Sequence, residues 1–94
     1  MRLRWTPRAL RDLDEIGAYI SAEDGDAADR VVSRLVEATD RLSQLPRMGR
    51  PGRVAGTREL VVRGLPYIVV HMIEDGAIAI LAIMHTARLW PRRF

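Results

Sequence analysis

Residues Gly56 to Pro91, GTRELVVRGLPYIVVHMIEDGAIAILAIMHTARLWP, constrain the fold more than any other part of this chain. They hold three successive apolar runs punctuated by turn residues, and such runs read as three short strands, near Thr57 to Arg63, Pro66 to Glu74 and Ala77 to His85. Asp75-Gly76 is a two-residue hairpin signal of the type I′ kind, which pairs Glu74 with Ala77 and, carried along the strands, Pro66 with His85. A type II′ turn at Gly64-Leu65 pairs Arg63 with Pro66. On that register Arg63, Pro66 and His85 stand side by side on three strands. With strands about 4.8 Å apart, Arg63 and His85 share one face with backbones roughly 10 Å apart, close enough for both side chains to touch one phosphate. A one-residue change in either turn would undo this, because it moves a strand's side chains to the opposite face.

The first half of the chain must cover that meander. Arg2 to Trp5 alternates basic and apolar residues, as a short first strand does. Thr6-Pro7 is an N-cap followed by a first-turn proline, and Leu10, Leu13, Ile16, Gly17 and Ile20 follow at helical spacing to about Ser21. Asp24-Gly25 breaks this helix, and Asp26 is placed to cap a second one carrying Ala28, Val31, Val32, Leu35, Val36, Thr39, Leu42 and Leu45. The short connection makes the two helices an antiparallel hairpin. Each has one apolar stripe, and the sheet is the surface available to bury it. Pro46 ends the second helix. PRMGRPGRVAGT then reads as an exposed, irregular loop carrying Arg47, Arg50 and Arg53. The expected fold is α+β: an N-terminal strand and a helical hairpin packed on a mainly antiparallel sheet of about four strands, in a single domain over residues 1–94.

Composition narrows the chemistry. Ninety-four residues, 48% hydrophobic and 29% charged, suffice for one small core, burying roughly 60 to 65% of the unfolded surface. All fifteen basic residues are arginine, whose planar fork suits carboxylate and phosphate, and the net charge is +3. Cysteine is absent, which excludes disulfides and thiolate chemistry. His71 and His85 are too isolated for a zinc site, and no metal or cofactor is expected. No run approaches the roughly 18 apolar residues of a membrane span, and the N-terminus lacks a signal-peptide core, so no membrane role is expected and the cytoplasm is the expected location.

The order of WTPRALRDLDEI, LPRMGRPG, TRELVV, PYIVVHMI and ILAIMHTARLWP covers nearly the whole chain and resembles the RelE/ParE superfamily of toxin proteins. The resemblance implies a type II toxin neutralised by a small DNA-binding antitoxin of the ParD or RelB kind, in a hetero-oligomer. Two activities are implied: ribosome-dependent cleavage of messenger RNA for RelE-like members, and inhibition of DNA gyrase for ParE-like members. The second strand lacks a lysine-rich character, no tyrosine follows His85, and the His85-x-x-Arg88 pattern is similar to ParE-like strand ends. These place the chain nearer the ParE branch, with a RelE-like nuclease as one alternative and a degenerate, non-toxic antitoxin-binding module as another.

Cleavage through a 2′-hydroxyl needs a base, a cation for the phosphorane charge and an acid. On a RelE-like reading His85 and Arg63 are the catalytic pair. On either reading Arg58, Arg63 and Arg88 are candidate target or phosphate contacts, and Arg47, Arg50 and Arg53 candidate antitoxin or nucleic-acid contacts. The bland alternatives are a turn-capping His85, solvated or carboxylate-paired arginines, a core His71, and Trp90 as a lid over the core edge. The strands PYIVVHMI and AIAILAIM are apolar on both faces, so two helices leave hydrophobic strand surface for something else to cover.

Overall fold

The computed structural model describes residues 1–94. Its elements are β1 (Arg2–Trp5), α1 (Pro7–Ser21), α2 (Gly25–Asp40) with a 3₁₀ turn over Arg41–Ser43, β2 (Arg50–Pro51), β3 (Arg58–Val61), β4 (Tyr67–Glu74) and β5 (Ala77–His85). The sheet has five strands in the order β1-β5-β4-β3-β2, one more than expected because two residues of the arginine-bearing loop add an edge. Only β1 runs parallel to its neighbour, β5.

Local signals account for most boundaries. Thr6 caps α1, its Oγ1 accepting from the Ala9 N–H at 3.2 Å, with Pro7 in the first turn. The cap of α2 is Asp24 rather than Asp26. Its Oδ1 accepts from the Ala27 N–H at 3.0 Å, so the helix starts two residues earlier than expected, with Gly25 inside it. Asp75 and Gly76 have φ of 51° and 72°, the doubly positive signature of a type I′ turn, and Glu74 pairs with Ala77 as expected.

The two faces of the sheet are covered by different means. Ile78, Ile80 and Ile83 of β5, Tyr67 and Val69 of β4, and Leu60 and Val62 pack against Ala9, Leu35, Ala38 and Leu42 from the helical side. On the reverse face Ile68, Val70, Ala82 and Met84 form a smaller cluster, closed by Leu81, Trp90 and Phe94. The C-terminal tail therefore covers apolar strand surface that the helices do not reach. Leu35 and Leu42 have no exposed surface, and truncating either to alanine should cost about 2–5 kcal/mol.

The β3–β4 register is the expected one, whereas the β4–β5 register and the form of the turn after β3 depart from expectation. A bulge interrupts the β4–β5 ladder: Val70 pairs with Ala82 but His71 with Ile80, leaving Leu81 extra on β5. His85 is thereby opposite Tyr67, not Pro66. The bulge also reverses the alternation, so Ile78 and Ile80 before it share the helical face with Ile83 after it. Thr6 anchors the irregularity, because its hydroxyl lies 2.8 Å from the Ile80 carbonyl and 3.3 Å from that of Leu81. The turn after β3 lies one residue earlier than expected. Leu65 N–H bonds the Val62 carbonyl, and Gly64 at φ 79° takes the third position, as in a type II turn. The last backbone bond between these strands joins Val62 N–H to Tyr67 C=O, so Arg63 leaves the ladder.

A candidate binding site at the end of the sheet

Beyond Trp5 the outer edge of β5 loses its β1 partner. Asp12, buried at 9% exposure on α1, replaces it there: its Oδ2 accepts from the Ile83 N–H at 3.0 Å. The separation it maintains between α1 and the end of β5 leaves a hollow of about 570 Å³. Glu15, Ile16 and Tyr19 line it from α1, Tyr67 and Ile83 from the sheet, and His85, Ala87 and Arg88 from the strand end. One wall is apolar and aromatic, and the mouth carries a cation and a carboxylate.

His85 is exposed, with its ring edge-on to Tyr67 at 5.4 Å between centroids and 89° between planes. Its Nδ1 accepts from the Ala87 N–H at 3.0 Å. That bond puts the neutral ring's proton on Nε2. The turn cap therefore occupies Nδ1 and leaves Nε2 as the ring nitrogen free to meet a partner. Burial, and then the neighbouring Tyr19, push the Tyr67 phenol above its ordinary value, so Tyr67 remains a hydroxyl at neutral pH.

The six arginines singled out from sequence fall into two groups. Three are held internally. The buried carboxylate of Glu59, 2% exposed, accepts from Arg50 Nη2 at 3.1 Å, from the Arg53 N–H at 2.7 Å and from Arg53 Nε at 3.2 Å. Arg58 donates to the carbonyls of Arg47 and Gly49. Gly49 is held against β3 so closely that a Cβ there would lie 2.6 Å from the Glu59 oxygen. The other three, Arg47, Arg63 and Arg88, are exposed, as Arg50 and Arg53 also are, but their side chains make no such bond. Arg63 does not meet His85: it lines a second groove, between α2 and β3, with Arg34, Glu37 and Arg41. The expected pairing of Arg63 and His85 on one phosphate is thus undone by the earlier turn and by the bulge. His71 is fully buried beside Arg58, its Cα partner in the ladder.

Asp12, Glu15, Tyr19 and Tyr67 were not anticipated in the site. Asp12 and Glu15 look like the solvated face of an amphipathic helix, and only the end of β1, five residues before the end of β5, creates a need for Asp12. Tyr67 is one register position from the residue that an unbulged hairpin would place beside His85.

The fold coincides with that of known proteins. Residues 3–90 match the model of the ParE toxin of the type II toxin-antitoxin system parDE. The chain belongs to the ParE toxin family. It is 53% identical over 91 residues to Y4kP of Sinorhizobium fredii, spanning 97% of this chain and 94% of that one. Toxin RelE2 of Caulobacter vibrioides is 44% identical over 85 residues, spanning 90% and 94%. Among solved structures, the chromosomal ParDE system from P. aeruginosa aligns with a TM-score of 0.85 at 32% identity, covering 90% of this chain and 95% of that one. The RelBE2 toxin-antitoxin complex of Mycobacterium tuberculosis aligns with a TM-score of 0.64 at 29% identity, covering 89% and 95%. This ParE-family chain therefore keeps the helical hairpin and sheet of both named systems, and is a type II toxin-antitoxin toxin by family.

Proposed function

We propose that the chain inhibits growth by binding DNA gyrase, without cutting RNA, and that a small antitoxin neutralises it. The observation that carries this reading is the bond from the Ala87 N–H to His85 Nδ1, which ties that nitrogen into the turn and leaves the Nε2 side of the ring as a contact group. The separation of Arg63 from His85 supports it further, since it leaves Arg88 as the one arginine lining the hollow with the ring. Arg88 at the mouth of the hollow is the exposed cation, and Tyr19 and Tyr67 supply the aromatic surface typical of an anchoring contact. The antitoxin partner is supported by the ParDE and RelBE2 systems that share the fold.

Inducing the chain in cells and following DNA and messenger RNA together tests the proposal. Double-strand breaks with an SOS response, retained in His85→Gln, are the expected result. Cleaved messenger RNA that disappears in His85→Gln would establish the RelE-like reading instead. No growth effect at all would leave a degenerate antitoxin-binding module.

A further inference from the structure

Charge is divided between the two layers of the fold. Nine of the twelve carboxylates lie in the stretch from Asp12 to Asp40, which forms most of the helical hairpin and holds two arginines, while the other thirteen arginines share the rest of the chain with three carboxylates. The register fixes which way the arginines of β1 point. Leu3 and Trp5 pair with Ile78 and Ile80 and pack with them on the helical side, so Arg2 and Arg4, which alternate with them, project from the reverse face. Both are exposed, and their partners across the ladder, Ala77 and Ala79, bring no charge. At the opposite edge Arg53 stacks on Trp90 and, with Arg50, outnumbers the one carboxylate they share, Glu59. The tail runs between the two edges. Trp90 and Phe94 pack on the reverse-face cluster, and the exposed residues just before Phe94 are Arg92 and Arg93. The three ion pairs of the chain belong to Arg8, Arg50 and Arg53, so Arg2, Arg4, Arg92 and Arg93 have no carboxylate partner.

Unpaired arginines spread over one face suit a phosphate backbone, and the aromatic residues decide which kind. Single-stranded nucleic acid is held by bases stacked on free aromatic faces. Here Trp90 and Phe94 pack on the strands, and each has an arginine over its ring, Arg53 at 3.6 Å and Arg8 at 5.2 Å from the centroid. Trp5 and Tyr67 face the helices, and Tyr19 stands on α1. No ring on the reverse face is left for a base. β1 and β2 are the outermost strands, roughly 19 Å apart, so arginines at the two edges reach separate phosphates. We propose that the reverse face of the sheet and the tail across it bind the backbone of duplex DNA, with Arg2, Arg4, Arg92 and Arg93 on phosphates and the acidic helical layer turned away. Gyrase acts on DNA, so this contact lets the chain engage the enzyme and its substrate together. That setting rests on the gyrase reading above; the contact itself does not.

Fluorescence anisotropy of a short labelled duplex, titrated with the chain alone at graded salt, tests the assignment. A dissociation constant of roughly 1–100 μM near physiological salt is expected, with log affinity falling against log salt at a slope of about −3.6, about 0.9 for each of the four unpaired arginines. Arg92→Glu with Arg93→Glu, or Arg2→Glu with Arg4→Glu, should weaken binding about 10-fold or more and flatten the slope by about 2. Lysine at the same positions keeps the charge and should stay within about threefold of the parent. Arg11→Glu with Arg30→Glu makes the same change of net charge on the helical layer and should also stay within about threefold. Absence of binding at low salt, equal losses in the sheet and helix pairs with both folded by thermal melt, or tighter binding to a single-stranded RNA of the same length would each overturn the proposal. Duplex binding by a chain that leaves gyrase uninhibited would support the proposal and refute the gyrase reading. Gyrase inhibition by a chain that binds no duplex would refute the proposal alone.

Discussion

The guanidinium carbon of Arg53 lies 3.6 Å from the centre of the Trp90 ring, while Nε of the same group bonds Glu59 at 3.2 Å. One side chain thus joins a buried carboxylate on β3 to the aromatic residue that closes the reverse face of the sheet. The loop and the C-terminal tail are thereby linked to each other through one side chain.

Replacing Glu59 by glutamine should loosen both. Burial alone would raise the Glu59 pKa, but the bonds from the Arg53 N–H, the Arg53 side chain and Arg50 outweigh it and hold the carboxyl below its ordinary 4.5. A lowered folded-state value means stability that is present above pH 4.5 and lost as pH falls through the folded value. Glu59→Gln should cost about 1–3 kcal/mol at neutral pH, since both arginines are half-exposed and screened, and should remove part of the acid sensitivity. In a Trp5→Phe background Trp90 emission should shift to the red, and urea melts at pH 7 and 4 check the energetic part.

His71 gives a second, separate pH dependence. Burial lowers its pKa, the bond from Nδ1 to the Val69 carbonyl opposes this, and neighbouring Arg58 lowers it further, to a net value below 6.5. The neutral ring is favoured in the folded chain, while the unfolded chain takes up a proton near pH 6.5. Stability from this residue is therefore complete above pH 6.5 and declines as pH falls from there towards the folded value. His71→Leu should be less stable at pH 8 but should lose less between pH 6.5 and 5 than the parent. Thermal melts across that window decide it.

Asp12→Ala should leave the Ile83 N–H without an acceptor in a buried place. A loss of about 1–3 kcal/mol is expected, and Asp12→Asn, which keeps an acceptor oxygen, should lose less. Faster amide exchange at Ile83 in the alanine variant, compared with asparagine, is the direct readout.

At the strand-end hollow the contact and the proton carrier separate. Arg88→Ala should weaken target binding by about 1–3 kcal/mol with little change in melting temperature, because the side chain is exposed. His85→Gln should retain most inhibition. Gyrase supercoiling assays with graded amounts of each variant give both numbers, and equal loss in the two would argue against a binding mode that uses His85 only as a contact.

The helices, the hairpin at Asp75-Gly76 and the extents of β4 and β5 were legible in the sequence because each depends on neighbours in the chain. Thr6-Pro7 starts a helix by itself, and Asp75-Gly76 adopts positive φ by itself. The register at His85 was not legible, because the bulge opposite His71 depends on Thr6, which arrives from the far end of the chain to bond Ile80 and Leu81. The roles of the arginines were also hidden. Arg50, Arg53 and Arg88 look alike in sequence, and only the burial of Glu59 distinguishes the first two from the third.

Leu81 divides β5 into two segments of opposite phase, so odd and even positions exchange meaning part-way along one continuous strand. A single-residue deletion there would restore an unbroken ladder at little cost in backbone bonding. Ala82 and Met84 would stay opposite Val70 and Ile68 on the reverse face and Ile83 on the helical face, because the deletion removes the one residue that puts the two segments out of phase. In this chain one unpaired residue in β5 reconciles two apolar patterns of opposite parity with a single pair of sheet faces.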